Sequence, residues 1–399
     1  MRRLSRAGLA FVVLAAALVA VAATAAARTT VHAANPIVIG WAFDSKGAMA
    51  PFDNPALAAA QLRVKQLDAK GGVDGRPLQI KTCDTQGNKA AIAKACALKL
   101  LGDGASVIFT TCDVDLAAPV VQEAINRGVL AVAACIGTDQ MGPKRFGPKG
   151  HLAFSFGNVA QDEGSAMAQY AWNKGWRSAS LATDGVIVYF KNVVQAFKVR
   201  WLQLGGKIAD AETYHDQVYG GNDVQNAISR LNSHKADVIV TSTAGAFGTL
   251  STLIAGLRSL GNNTPILNSW AGDGAYWLPK SPTVSNYYFV TYASVFGDDP
   301  VAAVNKLAKQ VHAGTGGFLT GPAAIDGVAI AIKRAGGSTD GAALAAQLEK
   351  FKNVATISGK ISFSHTLHTV FGRTYRVIKI TNNKPRVVGT IRAKVVVKI

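Results

Sequence analysis

The 399-residue chain lacks the motifs by which many catalysts are recognised. No Gly-x-Gly-x-x-Gly follows a candidate strand, and there is no Walker loop, no Gly-x-Ser-x-Gly elbow and no His-Glu-x-x-His. Nucleotide-dependent, serine-hydrolase and zinc-protease chemistry therefore have no local support. Histidine is scarce at seven residues. His365 and His368 lie three apart in a stretch that reads as extended, where that spacing points to opposite faces, so no metal site is expected there. Cysteine is confined to Cys83, Cys96, Cys112 and Cys135, and none stands near the start of the chain to carry a lipid. Charged residues make up only 17% and apolar residues 49%, which excludes disorder as the general state and supplies a large core. Acidic residues are the minority charge, 24 against 42 basic, for a net charge of +18. That balance invites a nucleic-acid reading.

The first residues answer that invitation. Arg2, Arg3 and Arg6 precede an apolar run from Ala7 to Ala23, followed by the small residues Ala25-Ala26-Ala27. This is the pattern of a secretory signal peptide over residues 1–27, with cleavage as late as residue 34. The run of 17 residues is short of the roughly 20 that a membrane span needs. Removing residues 1–27 takes away three basic residues and no acid, which leaves +15. An exported, extracytoplasmic protein is expected, with no nucleic acid as partner and with cysteines free to pair.

From Pro36 onward, short β-branched runs alternate with amphipathic stretches. Strands are expected at 37–41, 78–83, 105–111 and 129–134. Helices between them include one opening at Asn54-Pro55 and stopped by Gly71-Gly72. Such a βαβ series makes a parallel, doubly wound sheet. It repeats with strands at 178–183, 207–214, 236–241 and 265–268; Val194, Phe197, Trp201 and Leu204 mark one face of a helix between them. After a strand at 287–292 come helical stretches near 301–312, 322–335 and 340–351. The last forty residues read as β-structure with a turn at Asn382-Asn383. The expected fold class is α/β with two doubly wound parallel-sheet lobes. Residues 36–155 plus 291–355 form the N-terminal lobe, and 156–290 plus 356–399 form the C-terminal lobe. Open α/β sheets bind ligands at the carboxyl ends of their strands, which puts the cleft between the lobes.

The segment Asp68-Ala69-Lys70-Gly71-Gly72-Val73-Asp74-Gly75-Arg76-Pro77-Leu78-Gln79-Ile80, with Asp84 after the second strand and the late helical return, resembles the type I periplasmic binding proteins. The likeness is to their leucine/isoleucine/valine-binding branch, and it spans nearly the whole chain after the leader. It implies a non-enzymatic receptor of an ABC importer, without cofactor, whose lobes are joined by a three-strand hinge. Such a receptor captures a small solute, by family default a branched-chain or related amino acid, and delivers it to a membrane permease. The alternatives are a ligand-sensing ectodomain, or an exported hydrolase using Asp113, Asp184 or Asp273.

Strand ends nominate Thr110 to Asp113 and Ala134 to Gly137, Cys135 included, as the first-lobe rim. The resemblance puts hydroxyl residues where this chain has Asp113 and Gly137, so the usual clamp on a ligand carboxylate is altered. A carboxylate at Asp113 would occupy the positive end of the next helix and repel an anionic group. Asp113 suits the N-cap of that helix equally well. In the second lobe the resemblance makes Tyr189 an aromatic contact, gives a wider or different pocket at Ala244, and brings Asp273 near the place of an ammonium-binding glutamate. Phe52 and Trp270 offer flat apolar walls. Cys112 and Cys135 end consecutive strands, about 4.8 Å apart if these are neighbours, which permits a disulfide and leaves Cys83 for Cys96. The resemblance suggests a Cys83–Cys112 pair instead.

Glu349 is the last acidic residue, and eleven lysines and arginines follow it. They account for most of the +15 and leave +4 for residues 28–349. The cleft need not be basic. Residues 350–399 read either as a solvated β-rich end or as an electrostatic contact for an anionic envelope surface.

Overall fold

A computed structural model describes residues 35–399; the signal peptide expected over residues 1–27 lies outside the described residues. The first lobe is built from β1 (Ile37–Phe43), α1 (Ala50–Asp68), β2 (Leu78–Asp84), α2 (Ala90–Gly102), β3 (Val107–Thr110), α3 (Val114–Asn126), β4 (Leu130–Ala133), α4 (Pro143–Phe146) and β5 (Ala153–Asn158). The second lobe continues with α5 (Ala160–Asn173), β6 (Ser178–Asp184), α6 (Val188–Gln203), β7 (Lys207–Tyr214), α7 (Val224–Ser233), β8 (Val238–Ser242), α8 (Thr249–Ser259), β9 (Ile266–Asn268) and β10 (Tyr287–Thr291). Then follow α9 (Ala302–Gln310), α10 (Thr320–Arg334), α11 (Gly341–Leu348), and the β11 (Val354–Thr356)–β12 (Gly359–Ile361) hairpin. Strands β13 (Thr369–Val370), β14 (Tyr375–Thr381) and β15 (Lys384–Ile391) complete the chain.

The first sheet runs β13-β5-β4-β3-β1-β2 and is parallel throughout. Strands β3 and β4 are buried at every residue, as expected of apolar runs covered by helices on both faces. The second sheet runs β15-β14-β10-β9-β8-β6-β7, with β14 antiparallel to both β10 and β15. The β14–β15 turn falls at Asn382-Asn383, with φ of 50° and 58°. Two successive left-handed residues suit a tight hairpin turn, and asparagine adopts that conformation more cheaply than most residues.

Helix α1 starts four residues before the expected Asn54 cap and carries Pro55 inside it. Proline has no N–H to give the carbonyl four residues back, which here is Pro51. The Thr315 hydroxyl donates to that oxygen instead, at 2.8 Å, so a residue from the late helical return repairs the helix. Helix α10 packs against α1, and Arg63 pairs with Asp326 at 2.6 Å.

The chain passes between the sheets three times: after β5, after β10, and between Val370 and Tyr375. The last crossing comes later than the boundary expected at residue 356. Strand β13 pairs with β5, and His368 stacks on Phe154 at 4.0 Å, which keeps residues 356–370 with the first sheet. His365 and His368 do not diverge as the extended reading implied. No regular strand covers them, and both reach Glu349, at 3.2 and 3.3 Å.

Candidate functional site

The carboxyl ends of β3 and β8 and the turns after β6 and β9 face one another across the hinge. Asp113 follows β3 and caps α3, its Oδ1 accepting from the N–H groups of Asp115 at 2.9 Å and Leu116 at 3.1 Å. The group is 3% exposed. Burial, with Asp115 adding a smaller repulsion, pushes its carboxyl up to about 7. Cap and cavity wall are one residue, because Asp113 also lines the space between the lobes.

In that cavity the room left for a water-sized molecule is only about 20 Å³, far below the roughly 300 Å³ at which ligand pockets usually begin, so its two walls stand almost in contact. Phe52, Asp113, Tyr189, Ala244 and Trp270, all expected from the sequence, line it. Phe52 from α1 meets Trp270 from the second lobe edge to face at 5.0 Å, and Trp270 stacks on Tyr292 at 4.9 Å. At Ala244 the pocket is different rather than wider. The turn Gly245–Phe247 brings the Phe247 ring into the lining, 5.7 Å from Phe190. Phe190 and Phe247 were missed in the sequence because each reads equally well as core.

Three expected residues stand elsewhere. Cys135 is fully buried and bonded to Cys112, with Cα atoms 4.8 Å apart; Cys83 pairs with Cys96 at 5.5 Å. The Cys83–Cys112 alternative is thereby set aside. Gly137 lies under Tyr189, where a Cβ would come within 2.7 Å of the ring and 3.2 Å of the Asn158 carbonyl. The missing hydroxyl at this position is the space into which the tyrosine packs. Asp273 is fully buried, its Oδ2 accepting from Thr291 Oγ1 and Gly316 N, both at 2.6 Å, and its Oδ1 from Gly274 N at 2.6 Å. With those donors in place it ties the second lobe to the turn before α10 and does not line the cavity.

The carboxylate beside the aromatic wall is Glu163 of α5. Its Oε2 bonds the Tyr189 hydroxyl at 2.9 Å and its Oε1 accepts from Trp270 N at 2.6 Å. Burial pushes Glu163 up to about 8, with Asp162 and Asp273 adding smaller repulsions. The only sequence signal for it was an acidic pair in the first turn after the first crossing.

Asp53 was also missed. It is wholly buried and accepts from Asp44 N at 2.9 Å, Thr111 Oγ1 at 2.6 Å and Cys112 N at 2.9 Å. It thus holds the ends of β1 and β3 beside Asp113. Across the cleft, Asp115 accepts from Val188 N at 2.8 Å with one oxygen and pairs with Arg145 at 2.7 Å with the other. The amino end of α6 is thereby fastened to α3. Two sheets, three crossings and a small aromatic cavity at their carboxyl ends describe a protein that encloses a solute between two lobes.

The sequence profile of the family described as "Periplasmic binding protein" matches residues 36–385. The chain belongs to this family. Among curated relatives, the periplasmic binding protein is 26% identical over 340 residues to the Leu/Ile/Val-binding protein BraC3 of Rhizobium johnstonii, covering 83% of this chain and 88% of that one. Its fold is that of the substrate-binding protein LivJ from Streptococcus pneumoniae, solved with isoleucine, at a TM-score of 0.74 and 20% identity, covering 90% of this chain and 99% of that one. It is also that of a solute-binding protein from R. palustris in complex with 4-hydroxybenzoate, at a TM-score of 0.72 and 16% identity, covering 90% and 95%.

Proposed function

We propose that the protein is the exported solute receptor of an ABC importer. It holds a small, largely apolar solute through a hydrogen-bond donor, an ammonium group included, directed at Asp113, and hands it to a membrane permease. The observation that carries this reading is the lining of the interlobe cavity. Phe52, Tyr189, Phe190, Phe247 and Trp270 supply ring faces and edges, and Asp113 is the one charged residue among the lining residues. Apolar walls with a single fixed polar group orient a ligand by that group and select it by shape. An amino acid with an apolar side chain, as the Leu/Ile/Val-binding relatives are named for, meets this description. Its carboxylate then relies on backbone N–H groups, since no cationic side chain stands in the lining.

Thermal-shift titration with isoleucine, leucine, small aliphatic amines and 4-hydroxybenzoate tests the proposal. A bound solute raises the melting midpoint by mass action, with about 2.7 kcal/mol of stabilisation at a hundredfold excess over its dissociation constant. Ionised Asp113 attracts an ammonium, so affinity should strengthen as pH rises through about 7. Affinity only for acids, strengthening as pH falls, would make protonated Asp113 a donor to a ligand carboxylate and would overturn the assignment.

A further inference from the structure

A second pocket shares no lining residue with the interlobe cavity and draws its walls from both lobes. The β11–β12 hairpin contributes Lys360, the last crossing contributes Arg373, β14 contributes Arg376, and Arg392 follows β15. One of these four cations is neutralised in place: Arg376 grips Asp299 with two contacts, at 2.8 and 3.0 Å. Lys360 and Arg392 form no ion pair among the described residues. The Arg392 guanidinium lies against the crossing itself, with Nη2 3.0 Å from where a Cβ on Gly372 would stand.

Arg373 is the decisive residue. It is 5% exposed, its Nη2 donates to the Phe156 carbonyl at 2.9 Å, and its guanidinium lies 4.8 Å from the Tyr292 ring centre. Its Nη1 is buried with no hydrogen-bond partner among the described residues. The nearby carboxylate of Asp162 attracts the guanidinium but makes no hydrogen bond to it, and its own Oδ1 is likewise without a partner among the described residues. Its Oδ2 accepts from Asn158 Nδ2 at 2.6 Å and from the backbone N–H groups of Gly372 at 2.7 Å and Arg373 at 3.2 Å. Burial holds the Arg373 pKa below the usual arginine value, against a partial offset from Tyr292, Tyr375 and Asp162 and with a small further lowering by Arg376. An arginine nevertheless keeps its proton in proteins, so the Nη1 group remains a buried charged donor without a hydrogen bond. Such a donor is costly to leave unmatched.

We propose that this pocket binds a phosphate-type oxyanion, free or as a lipid headgroup, between Arg373, Lys360 and Arg392. Guanidinium and ammonium groups around an oxyanion make charge-assisted hydrogen bonds, and arginine can do so through two parallel N–H groups. The hydroxyl residues Ser362 and Thr374 in the same lining add neutral donors. The excess of positive charge after Glu349 thereby gains a specific site at the hinge, independent of the solute that the cavity takes.

The test uses the full mature protein and its Lys360→Ala/Arg392→Ala double variant. Both side chains are exposed, so the variant keeps the fold. Pyrophosphate is titrated by thermal shift at constant ionic strength, and phosphatidylglycerol vesicles in phosphatidylcholine are tested by co-sedimentation beside pure phosphatidylcholine vesicles. Saturable stabilisation by pyrophosphate identifies a free-anion site. Binding confined to the anionic vesicles identifies a headgroup site. In either case the double variant should weaken the response about tenfold or more, the loss expected when charge-assisted contacts are removed. An equal response in wild type and variant would show only diffuse attraction to a basic surface, and no response to either probe would show no site; either result overturns the proposal.

Discussion

Replacing Glu163 by glutamine should reshape the pH dependence of stability. Glu163 ionises at about 4.5 when free and at about 8 in the folded protein, burial being the main cause. Between those values the unfolded chain has lost a proton that the native state keeps. Unfolding free energy then falls with rising pH by about 1.4 kcal/mol per unit for this one group. The penalty is absent below about pH 4.5, where both states are protonated. It is complete above about pH 8, where it reaches roughly 4–5 kcal/mol. Glutamine stays neutral and fits the same contacts: its carbonyl accepts from Trp270 N, while its amide donates to the Tyr189 hydroxyl, which can act as acceptor. Urea unfolding of wild type and Glu163→Gln from pH 4 to pH 9 measures the difference directly. The variant should gain on wild type steadily from pH 4.5 to pH 8 and hold a constant advantage beyond. A difference that does not change with pH would refute a protonated Glu163 in the native state.

Gly137→Ala puts a methyl group against the Tyr189 ring; overpacking of this kind costs about 1–3 kcal/mol, and because Tyr189 lines the cavity, solute affinity should fall with stability in the same titration. Asp113→Ala removes the α3 cap and should cost about 1 kcal/mol in urea unfolding, whereas Asp113→Asn keeps an accepting oxygen, stays near wild-type stability, and loses affinity for an ammonium-bearing solute. Replacing Cys112 and Cys135 together with serine opens a bridge between residues 23 apart and should lower stability by about 3 kcal/mol under non-reducing conditions. If the double serine variant unfolds at the same urea concentration as wild type, the bridge does not constrain the chain.

The alternation of β-branched runs and amphipathic stretches carried both sheets, because a strand covered on each side must be apolar throughout, as β3 and β4 are. The same local rule could not say which sheet a late strand joins. Residues 360–370 read as β-structure with the rest of the chain's end, and only the pairing of β13 with β5 and the His368–Phe154 stack place them with the first lobe. At the site, Asp113 was legible because topology aims strand ends at the cleft, whereas Tyr189, in the first turn of α6, came only from the resemblance. Gly137 was legible as a departure from the resemblance but not as the seat of Tyr189, since that contact joins residues 52 apart in the chain. Asp53 carried no local signal, and Glu163 only that of an acidic first turn. Each is a carboxylate whose donors arrive from other elements, and helix-forming acids of identical local pattern usually face water.

The two-residue strand β13 governs when the molecule can finish folding. It closes one edge of the first sheet from residues 369–370, and β14 enters the second sheet only from Tyr375. Neither lobe has its full set of strands until more than nine-tenths of the chain has been synthesised. Partly made chains therefore lack sheet edges in both halves, and sheets whose pairings join distant segments assemble slowly. A chain short of its last strands thus keeps both sheets open until its final tenth is made.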